Sequence, residues 1–488
     1  MTIFESPPAA QPDTVRLGRW LHAWICADGA IHGFNNHAVW GGNPYRWTDF
    51  HSGHSTWSSP LLSALALLLE RRPDDYGAET LRRLVRFQIA SFQDNGQYRY
   101  IGFESGEVSR NALIHNMVPD LALATAVRHA APLLGEALCE QVRQAVVRNL
   151  EACAARWGGG RPGPSGTCNQ EYARIWAKLA LREACGERRW DEELTEDLDR
   201  MIRDYHVAGV PDASCEGTLR YAGDARTLEP AEYYGLMIVP LVLAAAAFGE
   251  SRYLDRAAAL CRHIVRSAWV DGAGQTRFHR LWHRRAGRWE KLDQPMLIAG
   301  MGLTLYGIRA CAAALGGDAE LEGFLEDCER TYAHYQTAGG YFVSATGWGN
   351  EADIAPSTAW HAHDLLYLAS RTADPAPFWR GWADGLPPRS VLLGNDCLWI
   401  EDGLHWSIGD YFWQDIYNLL GKRDEARFHR KIPAWTGYAR IHPPRVELPD
   451  PPVFVKTERG IYLKSDHDTP YAVRSATDVP YLGVYEQQ

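Results

Sequence analysis

The sequence predicts a mainly α-helical chain: a closed ring of helical hairpins, with a short β-strand region at its C-terminal end. Three observations predict it. Apolar residues recur at three-to-four spacing through most of the 488 residues. The periodic segments come in pairs, roughly 50–60 residues per pair, one member apolar and rich in small residues and the other amphipathic and more charged. The connections alternate between short ones and long ones rich in Gly, Pro and aromatics. A helix buried on most sides and a partner buried on one are what the inner and outer helices of a closed ring require.

The helical segments run in order along the chain. SSPLLSALALLLERR (58–72) pairs with GAETLRRLVRFQIASFQ (77–93), and the segment 111–134 with 135–157. Next come 169–185 with 191–209, 229–249 with 250–270, and 294–317 with 318–339. Then 355–372 is followed by the short 374–386, and 406–424 pairs with 425–440. The long connections are 27–57, 94–110, 158–168, 210–229, 271–293, 340–356 and 387–405. Helices alternating up and down bring such connections to one end, where long ordered loops wall a cleft. The tail 451–488 alternates like strand and carries turn signals at ERG and SDHDTP, which predicts three or four short strands packed on the ring. The expected organisation is therefore a helical domain over 1–445 and a β extension over 446–488.

Composition narrows the function. Hydrophobic residues are 46%, charged residues 23%, and net charge is −10, with no Lys/Arg cluster dense enough for a phosphate backbone, so nucleic acid is not an expected partner. FHRLWHRRAGRW (278–289) is the most basic patch and reads as a solvated hairpin or loop. The N-terminus shows no signal-peptide pattern. The run 236–249, interrupted by Pro240, is shorter than a bilayer span. The ten Cys are singletons with no C-x-x-C pair, as expected of reduced thiols in a cytoplasmic protein without a structural zinc. There is no G-x-S-x-G, P-loop or dinucleotide fingerprint. No cofactor and no metal are expected, and the oligomeric state is left open.

The 19 Trp and 18 His are unusual. NNHAVWGGNPYRWTDFHSGHSTW (35–57) concentrates them on a glycine-rich segment with neither helical nor strand period. Sugars have an apolar C–H face for Trp and Tyr and hydroxyl edges for Asn, Asp, His and Arg. Asn36, His37, Trp47, His51 and His54 are accordingly candidate sugar contacts, and Asp49, between aromatic neighbours that raise a carboxyl pKa, is a candidate acid.

The hairpin count and one-sided aromatic loops resemble the (α/α)-toroid, about six helical hairpins, of many glycoside hydrolases and polysaccharide lyases, over about residues 15–440. NNHAVW (35–40) is similar to an Asn-Asn-His-x-x-Trp phrase of some alginate lyases. PDASCEGTLRYAGDARTLEPAEYYG (211–235) is similar to the Asp-x-x-x-Glu-Gly loop and Tyr-rich helix start that line the cleft in several toroidal enzymes. The resemblance implies a carbohydrate substrate, with Glu216 and Tyr234 as catalytic candidates and Arg220 and Tyr233 as sugar contacts.

Hydrolysis needs two carboxyl groups flanking the bond. Elimination on a uronate needs a Tyr or His base and a group that neutralises the substrate carboxylate. Candidates for these roles are His115 with Asn116 beside it, and Glu171 with Arg174, in addition to those above. Glu229 and Glu232 read as helix-start charges. In GWGNEADIAPSTAWHAHD (347–364), Trp348 and His361 are further sugar contacts; His361 and Asp364 share a face, but no metal-binding spacing is present. Asp410 and Trp413 complete the set. The leading expectation is a glycoside hydrolase. A uronate lyase using Tyr234 or His115 is the close alternative, and a sugar epimerase or isomerase or a non-catalytic sugar-binding protein comes third.

Overall fold

The structure, a computed structural model, describes residues 11–22, 58–91, 113–158, 167–207, 217–221, 228–278, 296–336 and 358–384 continuously, with shorter pieces between them and four strands beyond residue 384. A first helix, α1 (Thr14–His22), buries Leu17, Trp20 and Leu21. It was not among the predicted segments. Six consecutive helix pairs follow: α2 (Pro60–Arg71) and α3 (Asp75–Ala90), α4 (Ile114–Leu134) and α5 (Glu136–Gly158), α6 (Cys168–Cys185) and α7 (Asp191–Tyr205), α8 (Tyr234–Phe248) and α9 (Ser251–Arg266), α10 (Gly302–Ala314) and α11 (Ala319–Tyr335), α12 (Thr358–Arg371) and α13 (Ala376–Asp384).

The first members close on themselves. α2 packs on α4, α4 on α6, α6 on α8, α8 on α10, α10 on α12, and α12 on α2. The second members lie outside, each of α3, α5, α7, α9 and α11 against its own inner partner, while α13 packs on α1 and α3. The pattern behind this is plain in α8, where YGLMIVPLVLAAAAF is apolar all round and its ring-side residues are buried, against α9, whose charged SRYLDRAAALCRHIVR buries one face. The apolar stretch Ala231–Phe248 is longer than the sequence reading allowed and is long enough to cross a membrane; the ring buries 67% of it.

Caps set the short turns. Asp74 accepts from Gly77 N–H at 2.8 Å ahead of α3, Asp318 accepts from Glu320 and Leu321 N–H ahead of α11, and α6 and α8 end on left-handed Gly186 and Gly249. Two glycines permit the close approach of three inner helices. A Cβ on Gly235 would collide with the Leu303 carbonyl, and one on Gly302 with the backbone of Asp364.

Every short turn joins an inner helix to its outer partner, and every long segment leads into the next inner helix. The starts of the six inner helices therefore share one end of the ring with the long segments. The basic patch is the antiparallel hairpin β5 (Trp282–Arg285) and β6 (Arg288–Lys291); ahead of it β3 (Ala268–Val270) pairs with β4 (Thr276–Phe278), so the helix predicted to reach residue 270 ends at 266. Strand β7 (Met296–Leu297) pairs with β8 (Ala345–Thr346), tying the approach to α10 to the approach to α12.

The aromatic segment contains strand after all: β1 (His32–Asn35) and β2 (Asp49–His54) pair antiparallel. Strands β9 (Cys397–Glu401) and β10 (Leu404–Ile408) pack against that hairpin, and β11 (Phe454–Thr457) pairs with β12 (Gly460–Leu463), which lies by β10. The helix predicted from 406 is thus strand at 406–408; the remainder of that predicted pair lies outside the described residues. Cys139, Cys153, Cys168, Cys185, Cys261, Cys311 and Cys328 are free thiols.

Candidate active site

At the loop end the starts of α6 and α8 bring polar side chains together, and a ring contact joins them to the start of α12. Glu229 and Glu232 precede α8, the second within the 3-10 turn Ala231–Tyr233. Both are buried, at 2% and 1% exposure. Asn169, in the first turn of α6, donates its side-chain N–H to Glu229 Oε1 at 2.7 Å. Glu229 Oε2 meets no hydrogen-bond partner among the described residues. Burial, reinforced by the neighbouring Glu232 charge, raises Glu229 well above the usual carboxylate range, and the Asn169 donors oppose this without reversing it. Tyr233 reaches across the start of α10 to Trp360 of α12, ring centroids 6.3 Å apart, and Trp360 lies 6.1 Å from the His363 ring. Burial alone drops His363 to about 3, so its imidazole is neutral at physiological pH. A buried carboxyl raised above its usual range, a second carboxyl three residues on and a neutral imidazole are groups able to move a proton.

The sequence candidates divide by helical face. Residues 169 and 171 are about 200° apart around a helix, so Asn169 meets Glu229 while Glu171 turns to α7. There Arg174 binds Glu171 Oε2 at 3.1 Å, Asp197 Oδ2 at 2.6 Å and Glu193 Oε1 at 3.2 Å. Glu171 and Arg174 thus join an inner helix to its outer partner and are not brought to Glu229. Asn116 turns likewise to the outer side, accepting from Tyr98 N–H and from Asn149 of α5. Tyr234 stacks on His263 of α9, and its hydroxyl bonds Thr218, away from Trp360. Of the two adjacent tyrosines, it is Tyr233 whose ring meets Trp360, while Tyr234 lies within reach of the Glu229 charge.

His361 accepts the Phe342 N–H at 2.8 Å and lies against Trp20 of α1, outside the inner ring. Asp364, one turn on, accepts the Gly300 and Gly302 N–H groups at 2.9 Å and the Tyr332 hydroxyl at 2.5 Å, which caps α10; burial raises it to about 7. The Arg220 side chain is exposed beside the bridge to Leu228. Asp49, His51 and His54 lie on β2, opposite Asn35, Gly33 and His32, and His115 lies in the first turn of α4. Asn36, His37, Trp47, Glu216, Trp348, Asp410 and Trp413 lie outside the described residues. No group of three or more potential metal ligands occurs among the described residues.

Sequence reasoning passed over Glu229 and Glu232 as helix-start charges. A signal was present: the spacing E-P-A-E puts them three apart, and AEYYGLMIVP leaves no polar face on which a solvated pair could sit.

No family model matches this sequence, and no curated protein matches it. Solved structures do match in fold. A sugar epimerase from a ruminal bacterium superposes with a TM-score of 0.53 at 12% identity, covering 73% of this chain and 96% of its own. A D-mannose isomerase gives 0.52 at 12%, covering 75% and 99%. The α-1,6-mannanase of Salegentibacter sp. HEL1_6 gives 0.51 at 12%, covering 75% and 100%. These neighbours are (α/α)6 toroids, and by fold this chain is an (α/α)6 toroid as well.

Proposed function

We propose that the protein is a carbohydrate-active enzyme that hydrolyses a glycosidic bond of a neutral oligosaccharide at the Glu229–Glu232 end of the ring. The observation that carries this reading is the buried pair of carboxyls, Glu229 and Glu232, with burial raising Glu229 well above the usual carboxylate range. Hydrolysis requires two carboxyls in divided roles: an acid to protonate the leaving oxygen and a carboxylate to act as base or nucleophile. Glu229 takes the acid role and Glu232 the carboxylate role. Trp360 and Tyr233 supply faces for the C–H side of a sugar ring. The mannanase, epimerase and isomerase that share the fold support a sugar substrate. A uronate would bring a third carboxylate to the pair, so β-elimination is the weaker reading.

One observation favours a second reading. His363 is a neutral imidazole on the same side of α12 as Trp360, and an imidazole with a carboxyl pair suits proton transfer at carbon, as epimerisation or isomerisation demands. Glu229→Gln and Glu232→Gln, each assayed for turnover and for ligand binding on a panel of neutral oligosaccharides, test the site. Lost turnover with retained binding supports it; unchanged turnover in both variants removes it.

A further inference from the structure

Resting on that reading, we propose that Asn169 is a positioning residue that fixes where the acid proton of Glu229 sits, presenting it on Oε2 for a ligand oxygen. The amide Nδ2 can only donate, so Oε1, at 2.7 Å, must be the unprotonated carbonyl oxygen of the neutral acid. The proton is left to Oε2, the oxygen with no partner among the described residues, on a side chain 98% buried. A carboxyl free to rotate would distribute its proton over both oxygens. Here a donor on the first turn of α6 removes that freedom, and the adjacent backbone amide acts on the carboxyl in the same sense. The arrangement divides the labour between two inner helices: α8 carries the acid and α6 aims it.

The titratable groups that face Glu229 are Glu232 on its own segment, Cys168 at the start of α6, and Tyr234 in the first turn of α8. Cys168 and Tyr234 are held neutral by burial, so beside the burial of Glu229 itself, Asn169 and Glu232 are the groups that act on its titration.

The test is an infrared titration of the full chain without ligand. Subtracting the spectrum of Glu229→Gln from that of the native protein isolates the Glu229 carbonyl stretch from those of Asp120 and Asp364. Asn169→Ala removes a hydrogen bond to the carbonyl oxygen and a donor that favours the ionised form. The band should therefore move to higher frequency, and its disappearance on raising the pH should shift upward by about one pH unit. Asn169→Asp, which keeps the volume, should also shift the midpoint upward, with folding of both variants checked by circular dichroism. A band present in the native protein but unmoved in both variants overturns the role of Asn169 and leaves Glu229 as the acid. Absence of any protonated Glu229 band in the native protein overturns the acid assignment itself.

Discussion

Replacing Arg174 with Met separates a structural ion network from a catalytic one. The Arg174 guanidinium is 1% exposed and binds three carboxylates: Glu171, itself 0% exposed, Asp197 and Glu193. Lys178 keeps Glu193 paired at 2.6 Å, and Arg200 stands 3.7 Å from Glu171. The substitution thus takes the 3.1 Å cation from one buried carboxylate, Glu171, and leaves the partly exposed Arg200 3.7 Å from it. Breaking a buried pair costs about 3–5 kcal/mol, and the help from Arg200 places this case near the lower end, about 3 kcal/mol. Urea unfolding followed by tryptophan fluorescence measures it. The double variant Glu171→Gln with Arg174→Met should recover about half of the loss, because the stranded charge is gone. Acid should act through the same network. Burial pushes Asp197 up, but Arg174 and Arg200 together hold it below its ordinary value of 3.8, so its contribution is complete above that value and is lost as the pH falls through the lower folded value. That acid limb should vanish in Arg174→Met. Turnover of the folded variant should be unchanged. A stability loss under about 1 kcal/mol, or lost turnover at full stability, would refute the placement of this pair between α6 and α7.

Other perturbations follow from the same geometry. Tyr234→Phe should cost about 1 kcal/mol through its Thr218 partner in urea unfolding, whereas Tyr233→Phe should lower turnover with little effect on unfolding. Gly235→Ala should destabilise by more than about 3 kcal/mol, because the added Cβ meets the Leu303 carbonyl between α8 and α10; a normal melting temperature would contradict that packing. Asp364 has the opposite sign from Asp197. Its folded value is raised to about 7, so its contribution is present below the ordinary aspartate value and is lost as the pH rises through about 7. The unfolding free energy of the native protein should fall across that window, and the fall should be absent in Asp364→Asn.

The ring was legible in the sequence because burial on one side or on all sides leaves different periodic signatures, as in α9 and α8. The one-sided loops followed from the alternation of connection lengths. The hairpin of β1 and β2 was not legible: HGFN and DFHSGH contain no β-branched residue and no apolar alternation, so neither strand signal exists. Nor was the direction in which each polar residue faces. Spacing shows that Glu171 and Arg174 share a face, but only the placement of α7 shows that this face looks outward. The same blindness read Glu229 as a helix-start charge, where the structure buries it against Asn169.

The most direct measurement is a product assay on neutral and uronate-containing oligosaccharides in deuterated water, comparing native protein with Glu229→Gln. New reducing ends from a neutral sugar, with no rise in ultraviolet absorbance, no carbon-bound deuterium, and loss of at least about 100-fold in the variant, are what the hydrolytic reading predicts. New ends accompanied by absorbance, or carbon-bound deuterium without new ends, would contradict it and assign the same ring to elimination or to isomerisation.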